Sequence, residues 1–174
     1  RAQQPPLLEQ ADRPVGGTAV ARAMDAVMEH RLARLGVARV DTLGEFLETL
    51  RLLHTVGPLA GRDLLALSCS GAEASLVADA AAERRLCFPP FAPAAAESLH
   101  EALGELVRVS NPLDYHTHAW GRADRLEAGF AAALGGGFDL SLLLLDLPRA
   151  DRCDPAEWET ALAAWRRARD ATGA

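Results

Sequence analysis

Leu64-Leu65-Ala66-Leu67-Ser68-Cys69-Ser70-Gly71-Ala72-Glu73-Ala74-Ser75-Leu76-Val77-Ala78-Asp79 passes from an apolar run through a turn of small residues into a helical pattern. Four consecutive apolar residues flanked by polar ones suit a central parallel strand covered on both faces. Ala74, Leu76, Val77, Ala80 and Ala81 then give the next segment an apolar helical face. The turn between them, Ser68 to Glu73, opens a helix whose first amides lack intrahelical acceptors and sit at the positive end of the dipole. Such a turn favours an anion, phosphate or carboxylate. Glu73 places a negative charge in the same turn and works against it. The alternative is a strand-to-helix turn that only connects, capped by Ser70.

Working outward from that turn, the pattern from Leu64 onward alternates strand and helix. Strands are expected at 64–68, 86–88, 107–109 and 140–145, with helices at about 73–84, from Pro93, at about 122–134 and after Asp154. Pro89-Pro90 closes the second strand, Gly135-Gly136-Gly137 ends the third helix, and Asp154, Pro155 and Glu157 supply cap, first turn and third position of the last. Alternation of this kind implies βαβ crossovers and a parallel sheet with helices on both faces, an α/β fold. The short second strand suits an edge, so the expected order is 2-1-3-4. Ligands in such sheets bind outside the carboxyl ends of the strands. Those ends carry Ser68-Cys69-Ser70, the Asn111-to-Trp120 loop, and Asp146 with Arg149 and Asp151.

Ahead of this domain, residues 1–16 read as a flexible tail and 17–61 as a helical arm and linker. The chain opens on Arg1 rather than Met, which reads as a start inside a longer protein. Val20, Ala23, Met24, Val27, Leu32 and Leu35 recur at helical spacing up to Gly36. Thr42 with Glu45 forms a capping-box pattern before Leu43, Phe46, Leu47, Leu50 and Leu53. His54 then falls in the last turn of that helix, where its partial charge suits the dipole.

Composition narrows the chemistry. At 174 residues, 49% apolar and 5% aromatic, the chain holds one domain with a core plus a smaller appendage. The net charge of −6 argues against a nucleic-acid surface, and no apolar run reaches the ~20 residues of a membrane span. Three unpatterned cysteines suit a reducing cytoplasm. Lysine is absent, which removes a phosphate-loop lysine, a Schiff base and a lysine general base. The only asparagine, Asn111, and the only tyrosine, Tyr115, fall in one stretch with His116, His118 and Trp120.

Three readings compete at the carboxyl edge. Cys69 at a strand-to-helix elbow, with His116 or His118 as base, reads as a cysteine hydrolase, although the glycines of a nucleophile elbow are missing. His116-x-His118 with Asp114 or Asp146 reads as a metal site, since alternate residues of an extended segment point the same way.

The third is a resemblance. Ser68-Cys69-Ser70-Gly71-Ala72-Glu73-Ala74, followed about forty residues later by Val109-Ser110-Asn111-Pro112-Leu113-Asp114, resembles the C-terminal flavodoxin-like domain of the α portion of NDP-forming acyl-CoA synthetases, relatives of succinyl-CoA synthetase. Gly36-Val37-Ala38-Arg39-Val40-Asp41 and the capped helix after it resemble the segment preceding that domain. The resemblance runs from about residue 17 to the end, with 62–174 as the flavodoxin-like domain, stopping before that domain's last strand. It implies an acid–thiol ligase with a phosphohistidine relay. In it the turn at 68–73 (Ser68, Cys69, Ser70, Gly71, Ala72, Glu73) steadies phosphate, while Asn111, Pro112, Asp114, His116 and His118 form the neighbouring loop.

The family's phosphorylated histidine lies in an S-H-T-G-x-L-A-G segment. Counting back from Val40 places it at Gly17-Thr18, so Gly17 stands at the acceptor position and no catalytic residue is assigned. His54-Thr55-Val56-Gly57-Pro58-Leu59-Ala60-Gly61 echoes that segment but follows the second helix instead of preceding the first. The resemblance therefore implies that this chain alone is inactive. CoA, ADP or ATP, and Mg belong to the complete enzyme, and the partners are CoA-binding and ATP-grasp domains on the same or another chain, with homo-oligomers open. No metal is assigned to this chain, nor any nucleic-acid or membrane partner. A docking or structural domain that has lost the relay is the alternative.

Overall fold

The computed structural model describes residues 19–82, 84–149 and 151–174, so the expected tail at 1–16 and Gly17 lie outside the described residues. The chain divides at Gly57 and Pro58 into two compact units.

In the first unit, α1 spans Ala19–Arg34 and α2 spans Leu43–Thr55. Gly36 adopts φ +68°, a left-handed conformation that costs glycine no Cβ clash, and the helical run stops there. The capping box forms as the sequence predicts: the Glu45 N–H donates to Thr42 Oγ1 at 3.1 Å and the Thr42 N–H donates to Glu45 Oε2 at 3.1 Å. His54 lies in the last turn of α2. From residue 21 to Gly57 no residue is buried.

The second unit has the three-layer α/β, flavodoxin-like architecture. Its order is β1 (Leu64–Ser68), α3 (Gly71–Ala82), α4 (Pro93–Leu103), β2 (Leu113–Asp114), a short 3-10 turn (Thr117–Ala119), α5 (Ala123–Leu134), β3 (Leu140–Leu143) and α6 (Ala156–Thr172). The strands pair in parallel in the order β2-β1-β3, with Leu67 opposite Leu113 and Leu64 to Leu67 opposite Leu140 to Leu143. Every residue of β1 is buried, as its uninterrupted apolar run requires. Leu65 and Leu67 join a core with Leu99 and Leu103 of α4, Leu126 and Phe130 of α5, and Ala161 and Ala164 of α6. Leu64 and Ala66 point the other way, toward the face on which α3 packs. At Gly129 an added Cβ would meet Leu103 Cδ2 at 2.8 Å, so hydrogen is the only side chain that lets α5 approach α4 this closely.

Two expected strands are corrected. Val107-Arg108-Val109 alternates like a strand but is not one: the Val107 N–H donates back to Gly104 O at 3.2 Å in a turn, and its side chain is fully buried against the core. The paired residues come six positions later, in the Leu113–Asp114 segment. The 86–88 strand shrinks to a single parallel bridge between Asp63 and Cys87. The expected order 2-1-3-4 is corrected with them. The strand at 140–143 pairs directly with β1, and the Cys87 bridge and β2 share the opposite side of β1. The last helix also begins later than expected. Pro155 occupies the cap position, and Asp154 contributes by accepting from the Ala156 N–H at 3.0 Å.

Candidate functional site

The carboxyl edge of the sheet is built on β1. As the chain leaves that strand, the Ser68 hydroxyl, 1% exposed, accepts from the Ser70 N–H at 3.0 Å and lies within hydrogen-bond reach of the Ser70 carbonyl and the Glu73 carboxylate. The Ala74 N–H donates to Ser70 O at 3.1 Å, which makes Ser70 the residue from which α3 starts. The amides of Gly71, Ala72 and Glu73 have no acceptor among the described residues, as the first turn of a helix leaves them. The turn thus offers anion-facing donors at 71–73. The donor at Ser70 is already used internally, and the carboxylate of Glu73 folds back onto Ser68.

The second contributor is the loop after residue 110. Asn111 reaches into the gap on β1 between the Cys87 bridge and β2. Its Oδ1 accepts from the Ala66 N–H at 3.2 Å, while its Nδ2 donates to Leu64 O at 2.7 Å and to Pro89 O at 3.0 Å. The carboxamide does what a strand backbone would do there, satisfying one donor and one acceptor of β1. The Tyr115 N–H then donates to Ser68 O at 2.9 Å, so the loop lies directly beside the turn, because the loop itself, not a strand at 107–109, pairs with β1. Asp114 sits against the start of α3: a Cβ at Gly71 would lie 3.2 Å from its Oδ2. Its Oδ1 accepts from the His116 N–H at 2.9 Å, and its Oδ2 is 3.5 Å from His116 Nδ1. This contact holds His116 at φ +58°, a conformation uncommon outside glycine.

Between α3 and this segment lies a cleft of about 370 Å³, lined among others by Gly71, Ala74, Ser75, Arg108, Asp114 and His116. Of this lining, Gly71, Asp114 and His116 are among the residues the sequence marks, while Arg108 and Ser75 are not. Arg108 stood in an apparent strand, and the small side chains gain meaning only once α3 faces the loop.

The chemistry of the two rival sites weakens in this geometry. Burial pushes the Cys69 thiol up, with help from the carboxylates of Glu73, Asp146 and Asp114, so the thiolate a nucleophile needs is disfavoured. The rings of His116 and His118 stack at 5.6 Å between centroids rather than converging on a point, and His118 Nε2 lies 3.4 Å from Leu103 O. Among the described residues no group of three or more His, Cys, Asp or Glu side chains is placed to hold a metal ion. Beneath the loop Tyr115 is fully buried against Phe130, edge to face at 5.2 Å. Its hydroxyl lies beside the Trp120 indole and the Cys69 thiol, but neither it nor the indole N–H makes a well-formed hydrogen bond. After β3, Asp146 accepts from Trp158 Nε1 at 3.4 Å, while Arg149 and Asp151 pair with each other at 2.7 Å. Asp146, Arg149 and Asp151 are exposed, and of the three only the Asp146 carboxylate acts on Cys69 in the turn.

An open parallel sheet with its polar turns gathered at the carboxyl edge defines a flavodoxin-like α/β domain preceded by two helices. Solved structures of larger proteins share that fold. One is the dinucleotide-forming acetyl-coenzyme A synthetase 1 of Ca. Korarchaeum cryptofilum, in complex with phosphate and ADP, at 17% identity and a TM-score of 0.68, covering 92% of this chain and 32% of that one. Its apo form is similar at 17% identity and a TM-score of 0.68, covering 95% and 34%. PH0766 of Pyrococcus horikoshii OT3 is similar at 19% identity and a TM-score of 0.71, covering 86% and 33%. No protein-family model matches the chain. The fold resemblance to acyl-CoA synthetases read from the sequence therefore holds, and the chain spans about a third of the length of those proteins.

Proposed function

We propose that this chain is a domain of an NDP-forming acyl-CoA synthetase, in which the N-terminus of α3 steadies a phosphoryl group and the rest of the domain packs against catalytic portions carried elsewhere. The observation that carries the reading is the set of free amides at Gly71, Ala72 and Glu73, placed directly after the central strand. It is supported by a shared fold with a synthetase solved with phosphate and ADP. Helix N-termini in this position receive anions through unpaired N–H groups and the dipole.

The chain's own residues bind and orient in this scheme; they do not transfer the group. Gly17 stands where the resemblance places the phosphoryl acceptor. CoA, nucleotide and Mg would be held by CoA-binding and ATP-grasp portions, as the resemblance implies. Three free cysteines suit the reducing cytoplasm we assign to it, and no described helix is long and apolar enough to cross a membrane.

The test is a titration of the chain with inorganic phosphate followed by amide NMR. Shifts confined to Gly71, Ala72 and Glu73, enlarged by Glu73→Gln, are expected; an unchanged spectrum in both proteins defeats the proposal. Offered acetyl phosphate, the chain should gain no phosphohistidine, and its detection at His54 would overturn the alignment that puts Gly17 at the acceptor position. A second reading, a docking domain without a phosphate role, is favoured by one feature: Ser68 already occupies the Ser70 amide and holds Glu73 over the turn.

A further inference from the structure

We draw no further inference here: the strongest candidate, the cleft between α3 and the segment from Arg108 to His116, belongs to the site already described, and nothing in the structure beyond an exposed guanidinium and a wall of small side chains shows what ligand it would take.

Discussion

The arm and the α/β unit are both written in clear local signals, yet only one of them has an interior. α2 has a complete capping box and a strong apolar stripe and buries nothing. β1 has no capping device, a short run of leucines and one alanine, and buries every residue. Capping and periodicity settle which backbone conformation a segment adopts; burial settles how much that conformation is worth. The comparison breaks most sharply at Leu65, fully buried in the middle of the sheet. Leu65→Ala should lower stability by about 2 to 5 kcal/mol, read as a shift of the urea midpoint followed by tryptophan fluorescence. Leu50→Ala in the arm should leave that same transition where it was. Equal shifts from the two would mean that the units unfold as one.

Asn111 gives the next largest effect and explains where the sequence was hard to read. It is half-buried and makes three hydrogen bonds to backbone separated from it by 22 to 47 positions. Asn111→Ala would leave the Ala66 N–H and the Leu64 carbonyl of β1 without partners, at a cost of about 2 kcal/mol. Asn111→Asp is the sharper version, since a carboxylate still accepts from Ala66 but cannot donate to Leu64. A loss in hydrogen-exchange protection centred on Leu64 to Ala66 is the signature to look for.

That long-range carboxamide also explains the misread strands. β1 was legible because four consecutive apolar residues have few other uses, and α2 was legible because its cap lies within four residues, Thr42 to Glu45. β2 was not. Two residues carry no periodicity, and the stronger alternation at Val107 to Val109 pointed to the wrong segment; there Val107 turns inward as part of the core. Pairing is fixed by Asn111 and by the backbone bond from Tyr115 to Ser68, neither of which is a local pattern. At the site, the turn and the loop were both visible as rare or small residues. The use of Ser70's amide by Ser68, and the closeness of Asp114 to Gly71, depend on how two distant segments meet.

The arm offers a smaller effect of the opposite kind. Thr42→Ala removes the acceptor for the Glu45 N–H without disturbing any buried contact, and should cost α2 about 1 kcal/mol. The change should appear as lost helicity at 222 nm with the tryptophan transition unmoved. A loss visible in both signals would tie the arm energetically to the sheet.

Tyr115 tests whether the interior of the α/β unit is stabilised by its apolar surface alone. The ring is fully buried, packs edge to face on Phe130 at 5.2 Å and belongs to the central core, so it contributes by area and by aromatic geometry. Its hydroxyl is buried beside the Trp120 indole and the Cys69 thiol with no well-formed hydrogen bond, and burial pushes its ionisation well above the usual tyrosine range. A hydroxyl so weakly satisfied in such a place opposes folding, because water would have satisfied it better in the unfolded chain. Tyr115→Phe keeps the ring and removes that penalty, so it should be neutral or stabilise by up to about 1 kcal/mol, measured by the same urea midpoint. Tyr115→Leu, which also removes the contact with Phe130, should destabilise. If Tyr115→Phe instead costs stability, the hydroxyl's contacts with the Trp120 indole and the Cys69 thiol outweigh its desolvation.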